Sequence, residues 1–189
     1  MLKKFILGLA VAIILLTPLQ SYSQVYGGIG LDMALPMGKF KDVNQQSFGL
    51  NLQMESRAHC KVWWGLRVDF LSFQKKDGLD INLDYYENAI LISPKFRYCP
   101  FIEDCYNTKL IPYLQAMFTI SSIGDTKGDP RLGLGGAAGL GVALGFDLFE
   151  KCWMLDLGGL YSAPNFIERT EKRPSLEMIL VSLTLSMQL

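Results

Sequence analysis

Apolar and polar residues alternate along most of this chain, and the pattern is clearest at the end. From Ser175 to Leu189, Ile179, Val181, Leu183, Leu185, Met187 and Leu189 fall on one face, while Ser182, Thr184, Ser186 and Gln188 fall on the other. A period of two residues belongs to a β-strand. One strand alone would expose an edge of unpaired backbone groups, and the chain supplies seven more segments of the same kind. The pattern predicts strands over Gln24–Pro36, Ser47–Arg57, Lys61–Gln74, Tyr86–Cys99, Leu110–Ile123, Leu132–Leu148 and Cys152–Ser162, with Ser175–Leu189 as the eighth. Pro94 falls inside the fourth, where a missing backbone donor predicts a local irregularity. The expected fold is all-β: an eight-stranded antiparallel up-and-down barrel.

The connections differ in length. Those after the first, third, fifth and seventh strands are longer and polar (residues 37–46, 75–85, 124–131 and 163–174). Those after the second and sixth, residues 58–60 and 149–151, are short, and residues 100–109 are intermediate. Long loops at one end and short turns at the other are the habit of outer-membrane barrels.

Which face points inward decides between two barrels. A lipocalin-like carrier keeps its apolar face inside, around a small apolar ligand. Here the apolar faces carry large residues suited to lipid. The polar faces carry glycines and charges of both signs: Asp32, Glu55, Arg67, Asp69, Lys95, Arg97 and Asp156. Buried charges need partners, and this set can pair. The expected arrangement is therefore a transmembrane barrel whose middle is plugged by polar side chains rather than left as a pore, since eight strands enclose only enough room for side chains. Trp64, Tyr98 and Trp153 near the short turns, with Phe48, Phe70 and Tyr161 near the long loops, would form two belts at headgroup depth.

The start of the chain fits export. Lys3 and Lys4 precede an apolar run from Phe5 to Leu16, and Ser21-Tyr22-Ser23 places small residues before Gln24. That is the layout of a signal peptide over residues 1–23, leaving a barrel domain over 24–189. The apolar run is shorter than the ~20 residues a spanning helix needs. Lys and Arg total 18, as do Asp and Glu. With formal charge balanced and no basic block, no nucleic-acid partner is expected.

Secretion permits disulfides. Cys60, Cys99, Cys105 and Cys152 all lie at the short-turn end, and none has the two-residue spacing of a zinc site. Four cysteines allow three connectivities. Cys60–Cys99 with Cys105–Cys152 is one expectation. Cys99–Cys105, leaving Cys60 and Cys152 across the mouth, is its rival.

Pro36-Met37-Gly38-Lys39-Phe40 after the first strand, Ile92-Ser93-Pro94-Lys95-Phe96-Arg97-Tyr98 in the fourth and Pro112-Tyr113-Leu114 in the fifth carry a family resemblance. With the export signal and eight strands, the chain resembles the small outer-membrane β-barrels of Bacteroidetes-type bacteria, related in architecture to the OmpA transmembrane domain and OmpX. The resemblance implies location in a bacterial outer membrane, contact with its lipids and insertion by the barrel-assembly machinery. It brings no catalytic residues. Such chains often end in an aromatic residue, whereas this one ends in Leu189.

Candidate chemistry is sparse. Barrel enzymes of similar outline use a histidine base, but the single histidine, His59, falls at a short turn away from the outer loops. Asp80, Asp84, Asp125 and Asp129 sit in loops without the spacing of a calcium site. No cofactor, metal or catalytic activity is expected. Residues 75–78 and 168–173 are the loop segments best placed to meet a protein or surface ligand.

Overall fold

The computed structural model describes residues 24–78, 86–102, 109–125, 131–166 and 176–189. The signal-peptide segment, residues 1–23, lies outside the described residues. Eight strands follow in chain order: β1 (Gln24–Pro36), β2 (Ser47–His59), β3 (Val62–Ser72), β4 (Tyr86–Tyr98), β5 (Leu110–Asp125), β6 (Arg131–Leu148), β7 (Lys151–Ala163) and β8 (Met178–Gln188). One helical turn, α1 (Phe40–Val43), lies between β1 and β2. Each strand pairs antiparallel with the next, and β8 pairs with β1, so the sheet closes into a barrel without an edge.

The register fixes the shape. Paired residues can be followed once round from Tyr26 through Glu55, Gly65, Lys95, Met117, Ala137, Ser162 and Met178. They return to β1 at Pro36, ten residues further along. A stagger of this size tilts the strands by about 40° to the barrel axis.

The outside of the wall is apolar. Ile29, Leu31, Leu50, Leu52, Phe70, Ile90, Phe96, Leu114, Phe118, Leu140, Leu157 and Leu183 are all exposed. Above this band the outward positions turn polar: Phe70 is followed by Ser72, Ile120 by Ser122, and Asn88 and Glu177 precede Ile90 and Ile179. On β7, Trp153 and Tyr161 are eight residues apart, roughly 26 Å along the strand and about 20 Å along the axis at that tilt. That approaches the 25 Å height of the apolar band on membrane barrels.

The local irregularity expected at Pro94 is a gap in the β4–β5 pairing: neither Ser93 nor Pro94 has a partner on β5. Ile92 pairs with Ile120 and Lys95 with Met117, so the register is the same on both sides of the proline. The Ser93 and Thr119 hydroxyls meet at 3.0 Å beside it. The register shifts fall elsewhere, between Arg57 and His59 and between Tyr86 and Asn88. Proline with an extended φ fits the strand and removes one donor, which does not require an inserted residue.

The β6–β7 turn holds two residues, Phe149 and Glu150, closed by the Leu148–Lys151 pair. Both have positive φ, 52° and 59°, as a type I′ hairpin turn demands. Non-glycine residues pay for that conformation with about 1–2 kcal/mol each. Replacing Phe149-Glu150 by Asn-Gly should raise stability by about 1–2 kcal/mol in total. Urea unfolding in detergent micelles checks this, and an unchanged or lower midpoint would contradict the strain.

Candidate functional site: the charged barrel interior

The inward face is where unusual chemistry collects. Asp32 on β1, Glu55 on β2, Arg67 and Asp69 on β3, Lys95 and Arg97 on β4 and Asp156 on β7 are all buried. Strand alternation turns each toward the axis while its neighbours face out. They form two groups.

In the group nearer the long loops, Arg67 holds two carboxylates. Its Nη2 donates to Asp32 Oδ1 at 2.7 Å and its Nε to Asp69 Oδ1 at 2.6 Å. Asn51 Nδ2 also donates to Asp32 Oδ1, at 2.9 Å, and Thr184 Oγ1 donates to Asn51 Oδ1 at 3.1 Å. Ser182 Oγ accepts from Arg67 Nη1 at 3.3 Å.

The second group is a chain of two cations and two acids. Lys95 pairs with Glu55 and donates to Gln53 Oε1 at 2.8 Å. Arg97 reaches Glu55 at 3.2 Å and pairs with Asp156, which also accepts from the Tyr113 hydroxyl. Arg97 Nε and Nη1 have no hydrogen-bond acceptor. The guanidinium instead lies 3.9 Å from the Tyr113 ring centroid and 5.6 Å from that of Trp63. Those ring faces offer a cation the electrostatic partner that oxygen does not.

Glycine makes room for this chain. A Cβ on Gly141 would lie 2.2 Å from the Tyr113 hydroxyl and 2.6 Å from the Leu157 carbonyl oxygen. Tyr113 therefore reaches Asp156 across a strand with no side chain at that point. Gly141→Ala should destabilise the barrel by about 1–3 kcal/mol through overpacking. A lowered urea midpoint together with altered near-ultraviolet tyrosine signals would check it, and a neutral result would show that the ring can move without loss.

The ion groups are closed in at both ends by apolar clusters that alternation does not reveal. Toward the long loops, Phe40 of α1 packs edge-on against Phe73 and Tyr86, above Leu71, Leu91, Leu176 and Leu180. Asn44 ties the stopper down, donating to the Tyr86 carbonyl at 2.8 Å. Toward the short turns, Tyr26 stacks on Trp63 with centroids 5.5 Å apart, beside Ile102, Ile111 and Met154. A cavity of about 10 Å³ lies against Arg67, Asp69, Ser93 and Thr119, room for about one water. Among the described residues, this arrangement fills the barrel with paired ions and packed apolar side chains.

His59 is exposed at the end of β2, its Nδ1 accepting from the Lys61 backbone at 3.4 Å. Among the described residues no three His, Cys, Asp or Glu side chains are grouped to hold a metal. Asp80, Asp84, Asp129 and the Asp125 side chain lie outside the described residues, as does the segment 168–173.

The cysteines correct the sequence reading. Cys60 is disulfide-bonded, whereas Cys99 and Cys152 are free thiols. Cys105 lies outside the described residues. With Cys99 and Cys152 free, none of the expected bonds Cys60–Cys99, Cys105–Cys152 and Cys99–Cys105 is formed. The β3–β4 register is the reason for Cys99: its N–H donates to the Lys61 carbonyl at 2.8 Å, setting it opposite Lys61 rather than Cys60. Cys99 is then buried among Trp63 and Ile102, where burial pushes its thiol up to about 11. Cys152 is exposed, its Sγ 3.3 Å from Asp147 Oδ1. A membrane-impermeant maleimide should label Cys152 in the folded protein and Cys99 only after unfolding. Labelling of Cys99 in the native state would contradict this placement.

No protein-family model matches the chain, and no curated protein matches it by sequence. Solved structures match it in shape. The outer membrane protein OprG from Pseudomonas aeruginosa is 12% identical with a TM-score of 0.59, over 88% of this chain and 95% of that one. Neisserial surface protein A (NspA) is 12% identical with a TM-score of 0.50, over 89% of this chain and 97% of that one. At that identity what this chain shares with both is the barrel fold.

Proposed function

We propose that this protein is an integral β-barrel of a bacterial outer membrane, with a structural or binding role in the cell envelope and no catalytic one. The facing of the wall carries the reading: leucines, isoleucines and phenylalanines outside, seven paired charges inside. A continuous apolar belt of this size is untenable on a monomer in water. In a bilayer it is the required surface, and a closed barrel satisfies every backbone group there. A carrier of a small apolar ligand needs an apolar centre, and here the centre is occupied by ion pairs. Likeness in fold to OprG and NspA adds support.

Its partners are then the membrane lipids, the barrel-assembly machinery that inserts it and, at the long-loop end, a protein or surface ligand. Lys76, Asp77 and Gly78 are exposed there, and the Lys76 N–H is anchored to the Val43 carbonyl at 3.1 Å. The signal peptide over residues 1–23 belongs to this reading. Fractionation combined with gel mobility before and after heating tests it. Recovery with outer membranes and faster migration unheated are expected. A form that stays soluble without detergent would overturn the reading. In planar bilayers the expected conductance is nil, and discrete current steps would overturn the closed interior.

A further inference from the structure

The two ion groups differ in charge balance. Glu55 and Asp156 face two cations, Lys95 and Arg97. Asp32 and Asp69 face one, Arg67. All three side chains of the Arg67 group are withdrawn from solvent, with relative exposures of 0% for Asp32, 2% for Arg67 and 4% for Asp69. Two ionised carboxylates would leave one unit of negative charge in a nearly dry interior, an arrangement that costs several kcal/mol. Among the described residues no other cation pairs with either carboxylate: Arg57, also partly buried, lies on Trp63 toward the short turns and donates to Gln24. Lys95 is engaged by Glu55, and the remaining neighbours, Asn51 and Ser182, are neutral.

The oxygens point to the remedy. Asp32 Oδ1 already accepts two hydrogen bonds, from Arg67 and Asn51, while Asp32 Oδ2 is buried with no donor at all. The two carboxyl groups are held by one guanidinium, Asp32 on Nη2 and Asp69 on Nε. A metal cation is a poor occupant: Asp69 is the one carboxylate lining the adjoining cavity, which Arg67, itself a cation, and the apolar Leu91, Met117, Leu160 and Leu180 also line. We propose that Asp32 and Asp69 share one proton taken from solvent, making their group with Arg67 electrically neutral and giving the barrel interior a reversible proton-binding site. The proton lets one carboxyl donate to the other, the arrangement open to two acids that share a site.

Infrared spectroscopy of the full protein in detergent reads this directly, because the carbonyl stretch of a protonated carboxylic acid stands apart from carboxylate bands. At neutral pH the folded protein should show this band, moved by ¹³C-labelling of aspartate, and lose it reversibly on alkalinisation. Asp32→Asn and Asp69→Asn should each abolish it, since one remaining carboxylate balances Arg67. A wild-type protein without the band overturns the proposal. So does a band that aspartate labelling does not move, or one that persists in either folded variant. If neither variant folds, the labelled wild-type band and its pH response decide.

Discussion

Replacing Arg97 by methionine should cost about 3–5 kcal/mol, the scale of breaking a buried ion pair by removing one partner. Arg97 serves both Glu55 and Asp156, and its guanidinium rests on Tyr113. Its removal leaves Asp156 with only the Tyr113 hydroxyl and Glu55 with only Lys95. Urea titration of the folded protein in lipid vesicles measures the loss. Adding Asp156→Asn to Arg97→Met should recover part of it, because the second change removes a charge that the first left unpaired. If the two losses simply add, the pair is not coupled and the interior is held by something other than these ions.

Leu183→Arg should cost about 2–4 kcal/mol, as expected for a cation facing lipid near the bilayer midplane. The depth follows from the register. Leu183 pairs with Leu31 and Leu157 and lies midway along β8, four residues from both Ile179 and Met187. It is 46% exposed on the outer face. Ser182→Arg, one residue away, should fail for a different reason. Ser182 is buried, with its hydroxyl against Arg67, so the new side chain meets a filled interior and a like charge. Folding yield into vesicles, read by heat-modifiable mobility, separates the two. Leu183→Arg that inserts normally would mean the apolar face does not meet lipid.

The outer wall was legible because one face of each strand is apolar and the other polar. β1 runs from Gln24 to Pro36, the limits its alternation marks. The ends of the interior were not legible. Leu71, Leu91 and Leu180 follow or precede apolar residues on the outer face, Phe70, Ile90 and Ile179. Where both faces are apolar, a period of two leaves no trace. Trp63 and Trp64 are adjacent and face opposite ways, Trp63 inward at 1% exposure. Only the register tells them apart. The cysteine pairing failed for a similar reason: a one-residue offset at a turn decides which residue opposes which. Pro94 marks a gap in the ladder but not a change of register, because a strand can lose one donor and resume its pairing. The excess of acid over base around Arg67 depends on which of seven charges become neighbours, and that is a matter of three-dimensional proximity.

The inside-out facing of the wall is open to one direct measurement with native tryptophans, of which the chain has three. Lipids brominated on their acyl chains quench tryptophans that touch them. In Trp63→Phe, which leaves Trp64 and Trp153 on the outer face, fluorescence should be strongly quenched. In the double variant Trp64→Phe, Trp153→Phe, which leaves Trp63 inside, emission should be nearly untouched. Equal quenching in both, or the reverse order, would contradict a barrel with an apolar exterior set in lipid.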